Sequence, residues 1–200
     1  MRRVIAYHTI ITTYGFWLPN DPRGSWSDFV RAWELLEFGP ATRASEHRSL
    51  ARDPHDYRER LAAKKHLARS PVKFNGIQAR AVARGFANYV GRSGCVIHAC
   101  AVLPCHAHFV IARHRYSIEK VATLLKGAAT RELMDENIHP FADDSYRDGT
   151  LPTPWARKSW SCFLDCDEDI ARAIAYVERN PIKDGKRAQE WSFVQRWGTT

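Results

Sequence analysis

Two short apolar segments separated by only two residues place the strongest constraint on the fold of this chain. Residues 95–103 and 106–113 are rich in apolar side chains, and Pro104 and Cys105 are all that lies between them. Segments of this length around so short a connection are typical of a β-hairpin. We therefore predict that the chain is built around an antiparallel pair of strands.

The rest of the chain alternates between strand and helix signals. Apolar spacing and terminal signals predict strands over 3–13 and 155–164, and helices over 26–37, 55–69, 76–92, 118–136 and 166–180. Asp165 and Glu168 resemble a capping signal for the last helix, and Pro181 and Gly185 are expected to end it. This mixture predicts an α+β fold, in which helices pack on one face of a mostly antiparallel sheet.

The length of the chain fits a single domain, because its 200 residues compare with about 150 for an average domain. Residues 14–73 begin with a stretch rich in glycine and proline, and they interrupt the otherwise regular order of elements. We interpret 14–73 as an insertion of loops and helices within one domain over 1–200.

The sharpest candidates for chemistry are His106 and His108 on the second strand of the hairpin. Residues i and i+2 of a strand point to the same face, so both imidazoles project together. A two-residue turn places Ala101 opposite His108, and the small side chains of Ala99 and Ala101 leave room for a metal ion and a substrate. Imidazole suits Zn²⁺ or Mn²⁺ better than Mg²⁺. Two polar residues on a half-exposed strand are the simpler explanation of the same pattern.

A second candidate is Tyr176 with Asn180 on the last predicted helix. Residues four apart lie on the same face of a helix. Both lie at the edge of the apolar stripe of that helix, which comprises Ile170, Ala173, Ile174 and Val177. This place suits a tyrosine with an anchored ring and an accessible hydroxyl, and it equally suits a boundary tyrosine that only packs its ring.

The charge balance favours a polyanionic partner. Lysine and arginine number 30 and aspartate and glutamate 22, which gives a net charge of +8 and a pI near 9.4. A basic excess of this size is typical of nucleic-acid-binding proteins. The residues that we expect to contact DNA are Arg113, Arg115, Lys120, Lys126, Arg131, Trp155, Arg157, Lys158, Lys183, Lys186 and Arg187. A solvated surface explains each basic run as well, and a place in the core explains Trp155.

The cysteines and the hydropathy predict where the protein acts. The five cysteines are an odd number without C-x-x-C spacing, which favours reduced thiols in a cytoplasm. No apolar run approaches the roughly 18 residues that span a bilayer, and no secretory signal is evident. We expect a cytoplasmic protein with no membrane partner.

Two motifs together resemble a known family. Residues 103–109, LPCHAHF, resemble the Pro-x-His-hydrophobic-His motif of the HUH single-strand nucleases. Residues 176–181, YVERNP, resemble the Tyr-x-x-x-Asn-Pro motif of their one-tyrosine branch, the IS200-type and REP-associated tyrosine (Y1) transposases. Residues 100–104 and 125–127 also agree with this family. The resemblance covers residues 73–187 and the first strand.

The resemblance implies a ferredoxin-like fold and a transposase that acts on single-stranded or hairpin DNA. In such an enzyme His106 and His108 would hold Mg²⁺ or Mn²⁺, with Asn180 as a third ligand. Tyr176 would attack phosphorus, form a 5′-phosphotyrosine bond and free a 3′-hydroxyl, so that strand transfer needs no ATP. The protein would associate with the nucleoid when bound to DNA. The sequence leaves open a homodimer in which Tyr176 serves its partner's histidines.

Two departures from the family pattern keep other functions open. Ala107 is smaller than the residue usual between the histidines, and Cys105 stands where Asn or Asp is common. A non-catalytic protein that binds single-stranded or hairpin nucleic acid on the same fold would not need Tyr176. A structural zinc site, with poor spacing, would combine the histidines with Cys100, Cys105, Cys162 or Cys166. The remaining candidates, expected to be structural or exposed, are His8, His98 and His114.

Overall fold

The chain forms four strands and four helices within residues 3–16 and 56–198, which are the residues that the computed structural model describes. The elements are β1 (Ala6–Thr13), α1 (Tyr57–Lys65), α2 (Gly76–Ser93), β2 (Ile97–Leu103), β3 (His106–Ala112), α3 (Ile118–Asp135), β4 (Trp155–Leu164) and α4 (Asp167–Lys183). The helix predicted over 26–37 lies outside the described residues. None of the helices in the described ranges combines the length and the hydropathy that a membrane-spanning segment requires.

The four strands form one antiparallel sheet in the order β2-β3-β1-β4. The register of the hairpin pairs Ala101 with His108 and Leu103 with His106, as a two-residue turn requires. Leaving out α1 and α4, the order along the chain is β-α-β-β-α-β, which is the ferredoxin-like arrangement. The predicted α+β fold and its hairpin are therefore confirmed.

Helices α2 and α3 pack against each other on one face of the sheet. Helix α2 begins at a capping box formed by Asn75 and Gln78, and it ends at Gly94, whose φ of 68° suits glycine. Gly85 in the middle of α2 allows a close approach, because a Cβ there would lie 2.5 Å from the Cα of Ala129 in α3. The two helices can thus cover this face as one layer.

The core between these helices and the sheet is built on large aromatic side chains. Phe86 of α2 and Phe109 of β3 are fully buried, with ring centroids 5.0 Å apart. The ring centroid of Trp155, at the start of β4, lies 6.5 Å from that of Phe86. Ala107 and Ile111 point into the same core, as strand alternation predicts.

Helix α4 packs on the opposite face of the sheet. Its buried residues contact mostly small side chains, and this second cluster comprises Ile170, Ala173 and Val177 of α4 with Ala6, Ala99, Ala101, Val110 and Leu164. The expectation that helices pack on one face thus holds for α2 and α3, while α4 covers the other face.

The ends of α4 differ from the sequence prediction. Its N-cap is Cys166, which makes no capping side-chain hydrogen bond, so the predicted capping pair of Asp165 and Glu168 is wrong. The helix also continues through Pro181 to Lys183. A proline in the last turn removes only one intrahelical hydrogen bond, and the helix does not have to end before it.

Both edges of the sheet are protected by side chains. On the β2 edge, the side-chain amide of Gln189 accepts from the N–H of Val102 and donates to its carbonyl, each at 2.8 Å. On the β4 edge, the ammonium of Lys126 donates to the carbonyl oxygens of Ala156 (2.7 Å) and Lys158 (2.9 Å). Edges satisfied in this way are poor templates for pairing with another chain.

Candidate active site on the α4 face

Three strands contribute ring side chains to the sheet face that α4 covers. Ile10 of β1 pairs with His108 on one side and with Trp160 on the other, and cross-strand partners share a face. His8 lies two residues before Ile10, and His106 two residues before His108, so alternation places both on this face. The sheet thereby gathers three histidines and a tryptophan.

His8 and His108 contact each other directly. Nε2 of His8 lies 3.2 Å from Nδ1 of His108, and the rings stack with 5.5 Å between centroids and 16° between planes. Burial lowers the pKa of His8 to about 4. Burial, followed by the charges of His106 and His8, holds the pKa of His108 well below its usual value. Both rings are therefore neutral at pH 7, and one donates to the other.

His106 lies beside His108, as predicted from their spacing. The ring centroids are 4.7 Å apart and the planes 77° apart. Nδ1 of His106 lies 3.2 Å from Sγ of Cys105. His106 and His108 thus each contact a neighbouring side chain through Nδ1.

Tyr176 of α4 lies against two of these rings. Its ring meets His108 and His8 edge-on, with centroid separations of 5.6 and 5.5 Å. The side chain is nevertheless 44% exposed, so the ring is anchored while part of it faces solvent. The ammonium of Lys183 lies 5.0 Å from the centre of the Tyr176 ring.

Asn180, one turn beyond Tyr176, is turned towards its own helix. Its amide nitrogen donates to the carbonyl oxygen of Tyr176 at 3.3 Å. No hydrogen bond joins Asn180 to either His106 or His108 in the part of the chain that the structure describes. The bond to Tyr176 occupies the amide nitrogen and leaves the side-chain oxygen, the atom that would bind a cation, without a hydrogen bond among the described residues, so the role of Asn180 as third ligand stays a prediction.

The residues that fit a divalent cation are His106 and His108, which we call the imidazole pair. Histidines that bind metals are usually oriented by a contact through their other ring nitrogen, and both rings have such a contact through Nδ1. An imidazole pair suits Mn²⁺ better than Mg²⁺, which prefers oxygen ligands. The two histidines leave the remaining coordination positions to oxygen atoms of a side chain, water or substrate.

A different group of metal-ligating side chains lies at the start of α4. This group comprises Asp165, Cys166 and Asp169, whose ligand atoms all lie within 4.8 Å of one another. No other three His, Cys, Asp or Glu side chains in residues 3–16 and 56–198 come together in this way. Asp169 precedes Tyr176 by two turns, about 10 Å along the helix. This group is therefore separate from the imidazole pair.

The cysteines do not assemble a zinc site with the histidines. Cys100 lies in the core on the opposite face, where burial raises the pKa of its thiol far above the usual value. Cys105 contacts His106, and Cys162 shares the histidine face through its pairing with His8. No set of three zinc ligands that includes a histidine is preassembled among the described residues.

Two residues predicted to contact DNA are buried instead. Trp155 is 2% exposed, and its indole N–H donates to the hydroxyl of Thr130 at 3.2 Å. Lys126 is 9% exposed, its ammonium is held by carbonyl oxygens of β4, and burial lowers its pKa to about 8. Neither side chain can reach DNA, so these two predictions are wrong.

The other basic residues predicted to contact DNA are exposed. Arg113 and Arg115 follow the end of β3 that lies farthest from His106, about 24 Å along the strand, so they are not neighbours of the imidazole pair. The remaining exposed residues of this set are Lys120, Arg131, Arg157, Lys158, Lys183, Lys186 and Arg187. Of these, Lys183 lies beside Tyr176. Their contact with DNA stays a prediction.

His8 is the residue of this site that the sequence analysis missed, because it was expected to be structural or exposed. Its partner His108 is 100 positions away along the chain. Strand alternation gives the face of a residue within its own strand, but it does not tell which strand lies beside it. The available signal is only a histidine in a strand that also contains three threonines.

Comparison with known proteins finds structural likeness at low sequence identity. The chain is similar to a REP-associated tyrosine transposase bound to a REP hairpin, with 13% identity, a TM-score of 0.48, and coverage of 96% of this chain and 78% of that chain. It is also similar to a candidate transposase from Deinococcus radiodurans R1, with 12% identity, a TM-score of 0.38, and coverage of 94% and 95%. No protein-family model and no curated protein matches the sequence. At this level of similarity, the function has to be inferred from the residues of the chain itself.

Proposed function

We propose that this protein is a metal-dependent transposase that cuts and rejoins single-stranded or hairpin DNA through a covalent bond to Tyr176. The observation that carries the proposal is the contact of the Tyr176 ring with His108, which in turn lies beside His106. Its ring lies 5.6 Å from that of His108, which lies 4.7 Å from that of His106. A tyrosine near two side chains suited to a cation supplies the groups that phosphoryl transfer to tyrosine needs.

Tyr176 differs from the other tyrosines in its surroundings. All seven tyrosines of the chain lie within the described residues. Tyr57 and Tyr146 are more exposed, at 56% and 49%, but neither ring lies against His108. Exposure and proximity to the imidazole pair coincide at Tyr176, which makes it the nucleophile of the proposal.

In the proposed reaction the phenolic oxygen of Tyr176 attacks the scissile phosphorus. An oxygen–phosphorus bond to tyrosine forms while the bond from phosphorus to the 3′-oxygen breaks. The phenolic proton leaves to solvent, and the 3′-oxygen takes one up. The products are a 5′-phosphotyrosine and a free 3′-hydroxyl, and attack by a 3′-hydroxyl reverses the step without an external energy source. A divalent cation held by His106 and His108 would offset the charge on the phosphoryl oxygens.

Charge near the site supports a polyanionic substrate. The ammonium of Lys183 lies 5.0 Å from the Tyr176 ring centre. Exposed Lys158 lies two residues from Trp160, whose ring contacts His8. Together with the net charge of +8, these cations can pair with phosphates on either side of the scissile bond.

The test is covalent trapping. The protein is mixed with a pool of hairpin-bearing single-stranded oligonucleotides and Mn²⁺ or Mg²⁺, denatured, and examined for a protein–DNA adduct that is mapped by peptide mass. We expect an adduct on Tyr176 that disappears with chelator, with Tyr176→Phe and with His106→Ala. Tyr57→Phe, which alters a remote exposed tyrosine, should leave it unchanged.

The controls separate this proposal from binding without catalysis. An adduct on another residue, or one that persists in Tyr176→Phe, overturns the role of Tyr176. If the folded protein binds the hairpins but forms no adduct across the pool, the non-catalytic binding protein becomes the better explanation.

A further inference from the structure

We propose that His8 is a positioning residue that fixes the tautomer of His108. The inference rests on the proposed function, in which His108 binds a cation. Nε2 of His8 accepts a hydrogen bond from the protonated Nδ1 of His108, and this leaves the lone pair of His108 on Nε2, available to the cation.

The contact between the two rings can be made in only two ways. A neutral imidazole carries one N–H and one lone pair, so a single proton lies between Nε2 of His8 and Nδ1 of His108, which are 3.2 Å apart. If His8 donates, His108 carries its proton on Nε2 and cannot bind a metal through that nitrogen. If His108 donates, its Nε2 is a ligand. The direction of this one hydrogen bond therefore decides whether His108 can serve the proposed reaction.

Metal binding favours donation by His108. A histidine that binds a metal usually donates the N–H of its other ring nitrogen to a neighbouring acceptor. The contact at Nδ1 of His108 is of this kind, with Nε2 of His8 as the acceptor 3.2 Å away. Donation by His8 would instead put a proton on Nε2 of His108, the nitrogen left for the cation.

The surroundings of His8 hold its ring in place for this contact. Trp160 and Tyr176 each meet the ring nearly at right angles, with centroids 5.5 Å away, and His108 stacks on it. The same arrangement recurs at His106, whose Nδ1 contacts Sγ of Cys105 at 3.2 Å. Orientation through Nδ1 is thus common to both members of the imidazole pair, and loss of such a contact typically costs 10- to 100-fold in metal affinity.

The first test needs neither a variant nor a metal. Long-range ¹H–¹⁵N NMR on protein labelled at histidine, at pH 7.5, reports which ring nitrogen carries the proton. We expect His108 to be protonated at Nδ1 and unprotonated at Nε2. A proton on Nε2 of His108 would overturn the proposal.

The second test changes the acceptor at position 8. His8→Phe keeps a ring between Trp160 and Tyr176 but removes the acceptor, whereas the side-chain oxygen of His8→Gln can still accept the proton. With Mn²⁺ alone as the probe, we expect His8→Phe to weaken binding at least about 10-fold and to mix the tautomers of His108. His8→Gln should restore most of the affinity, and His98→Gln, at a histidine that contacts Gln195 and Trp197 instead, should leave it unchanged.

The outcomes separate this inference from the proposed function. Equal Mn²⁺ affinity and an unchanged His108 tautomer in His8→Phe overturn the positioning role alone. A wild-type protein that binds no Mn²⁺ and forms no DNA adduct overturns the proposed function, and the role of His8 with it. Unfolding of His8→Phe, checked by circular dichroism, leaves the decision to the wild-type NMR spectrum and to His8→Gln.

Discussion

The two faces of the sheet are packed by different kinds of side chain, although the same strands supply both. On β3, Phe109 and Ile111 enter the aromatic core under α2 and α3, while His106 and His108 point to the face under α4. The first face is filled by large apolar groups. On the second face, the buried residues of α4 pack mostly against alanines of the sheet. Near Tyr176 the same face is lined by imidazole rings.

This difference indicates that one face mainly stabilises the fold and that the other carries the candidate site. Buried apolar volume is what stabilises a domain of this size, and most of the large buried side chains lie under α2 and α3. The face under α4 contains two buried or half-buried imidazoles whose neutral state costs stability at low pH. Substitutions on the first face should therefore change the free energy of unfolding, and substitutions around Tyr176 should change chemistry.

The largest effect on stability is expected from Phe86→Ala. Phe86 is fully buried and packs against Phe109 and Trp155. Removing a buried phenylalanine ring costs about 3–5 kcal/mol, which chemical denaturation would measure. The control is Phe163→Ala, because Phe163 is 68% exposed, and it should cost about 1 kcal/mol or less. Similar losses for both would contradict the assignment of the main core to the α2–α3 face.

The next largest effect is a decrease in the free energy of unfolding at low pH, caused by a histidine on the α4 face. The pKa of His8 is about 4 in the folded protein and about 6.5 in an unfolded chain. Between these values the unfolded state binds more protons, so stability is complete above about pH 6.5 and decreases as the pH falls towards 4. For His8 the loss is at most about 3 kcal/mol.

The measurement is urea denaturation at pH 7 and pH 4.5 for the wild-type protein and for His8→Gln. Carboxylates titrate in both proteins, so the difference between the two pH dependences isolates position 8. We expect the glutamine variant to lose less stability on acidification. Identical pH dependence in both would show that His8 is not neutralised by burial.

A smaller effect is expected where α2 crosses α3. A Cβ at Gly85 would meet backbone atoms of Ala128 and Ala129 at 2.5–2.8 Å, and such overpacking costs about 1–3 kcal/mol. The better helix propensity of alanine, about 1 kcal/mol, offsets part of it, so Gly85→Ala should lose up to about 2 kcal/mol in thermal or chemical unfolding. Gly91→Ala, in the same helix with nothing within 4 Å, should instead gain up to about 1 kcal/mol. A gain at both positions would contradict the close helix crossing.

Local features of this fold were predictable from the sequence. The hairpin register follows from a two-residue turn, and β4 begins and ends at the predicted residues. Helices α2 and α3 each lie within one residue of the predicted ranges 76–92 and 118–136. Each of these signals acts over a few residues, so the sequence pattern alone is enough to identify it.

Features that depend on distant parts of the chain were not predictable in the same way. Lysine is seldom buried, so the sequence predicts an exposed Lys126, whereas in the structure its ammonium donates to the carbonyl oxygen of Ala156 in β4, 30 residues away. The placement of α4 on the second face, and of His8 beside His108, likewise depends on strand order. The candidate site was therefore predictable in His106, His108 and Tyr176 but not in His8.

The smallest effect on stability, and the sharpest contrast between the faces, is expected from Tyr176→Phe. The Tyr176 hydroxyl makes no hydrogen bond within the described part of the chain, and the phenylalanine ring can keep the contacts with His8 and His108. Unfolding free energy should therefore change by no more than about 0.5 kcal/mol, and affinity for hairpin DNA should stay near that of the wild type. Formation of the covalent adduct should be lost, because the variant has no oxygen to attack phosphorus.

A variant that is as stable as the wild type, still binds DNA and still forms the adduct would place the nucleophile elsewhere. A variant that loses both stability and binding would show that the ring of Tyr176 belongs to the packing of α4, and the proposed separation of stability from chemistry between the two faces would fail.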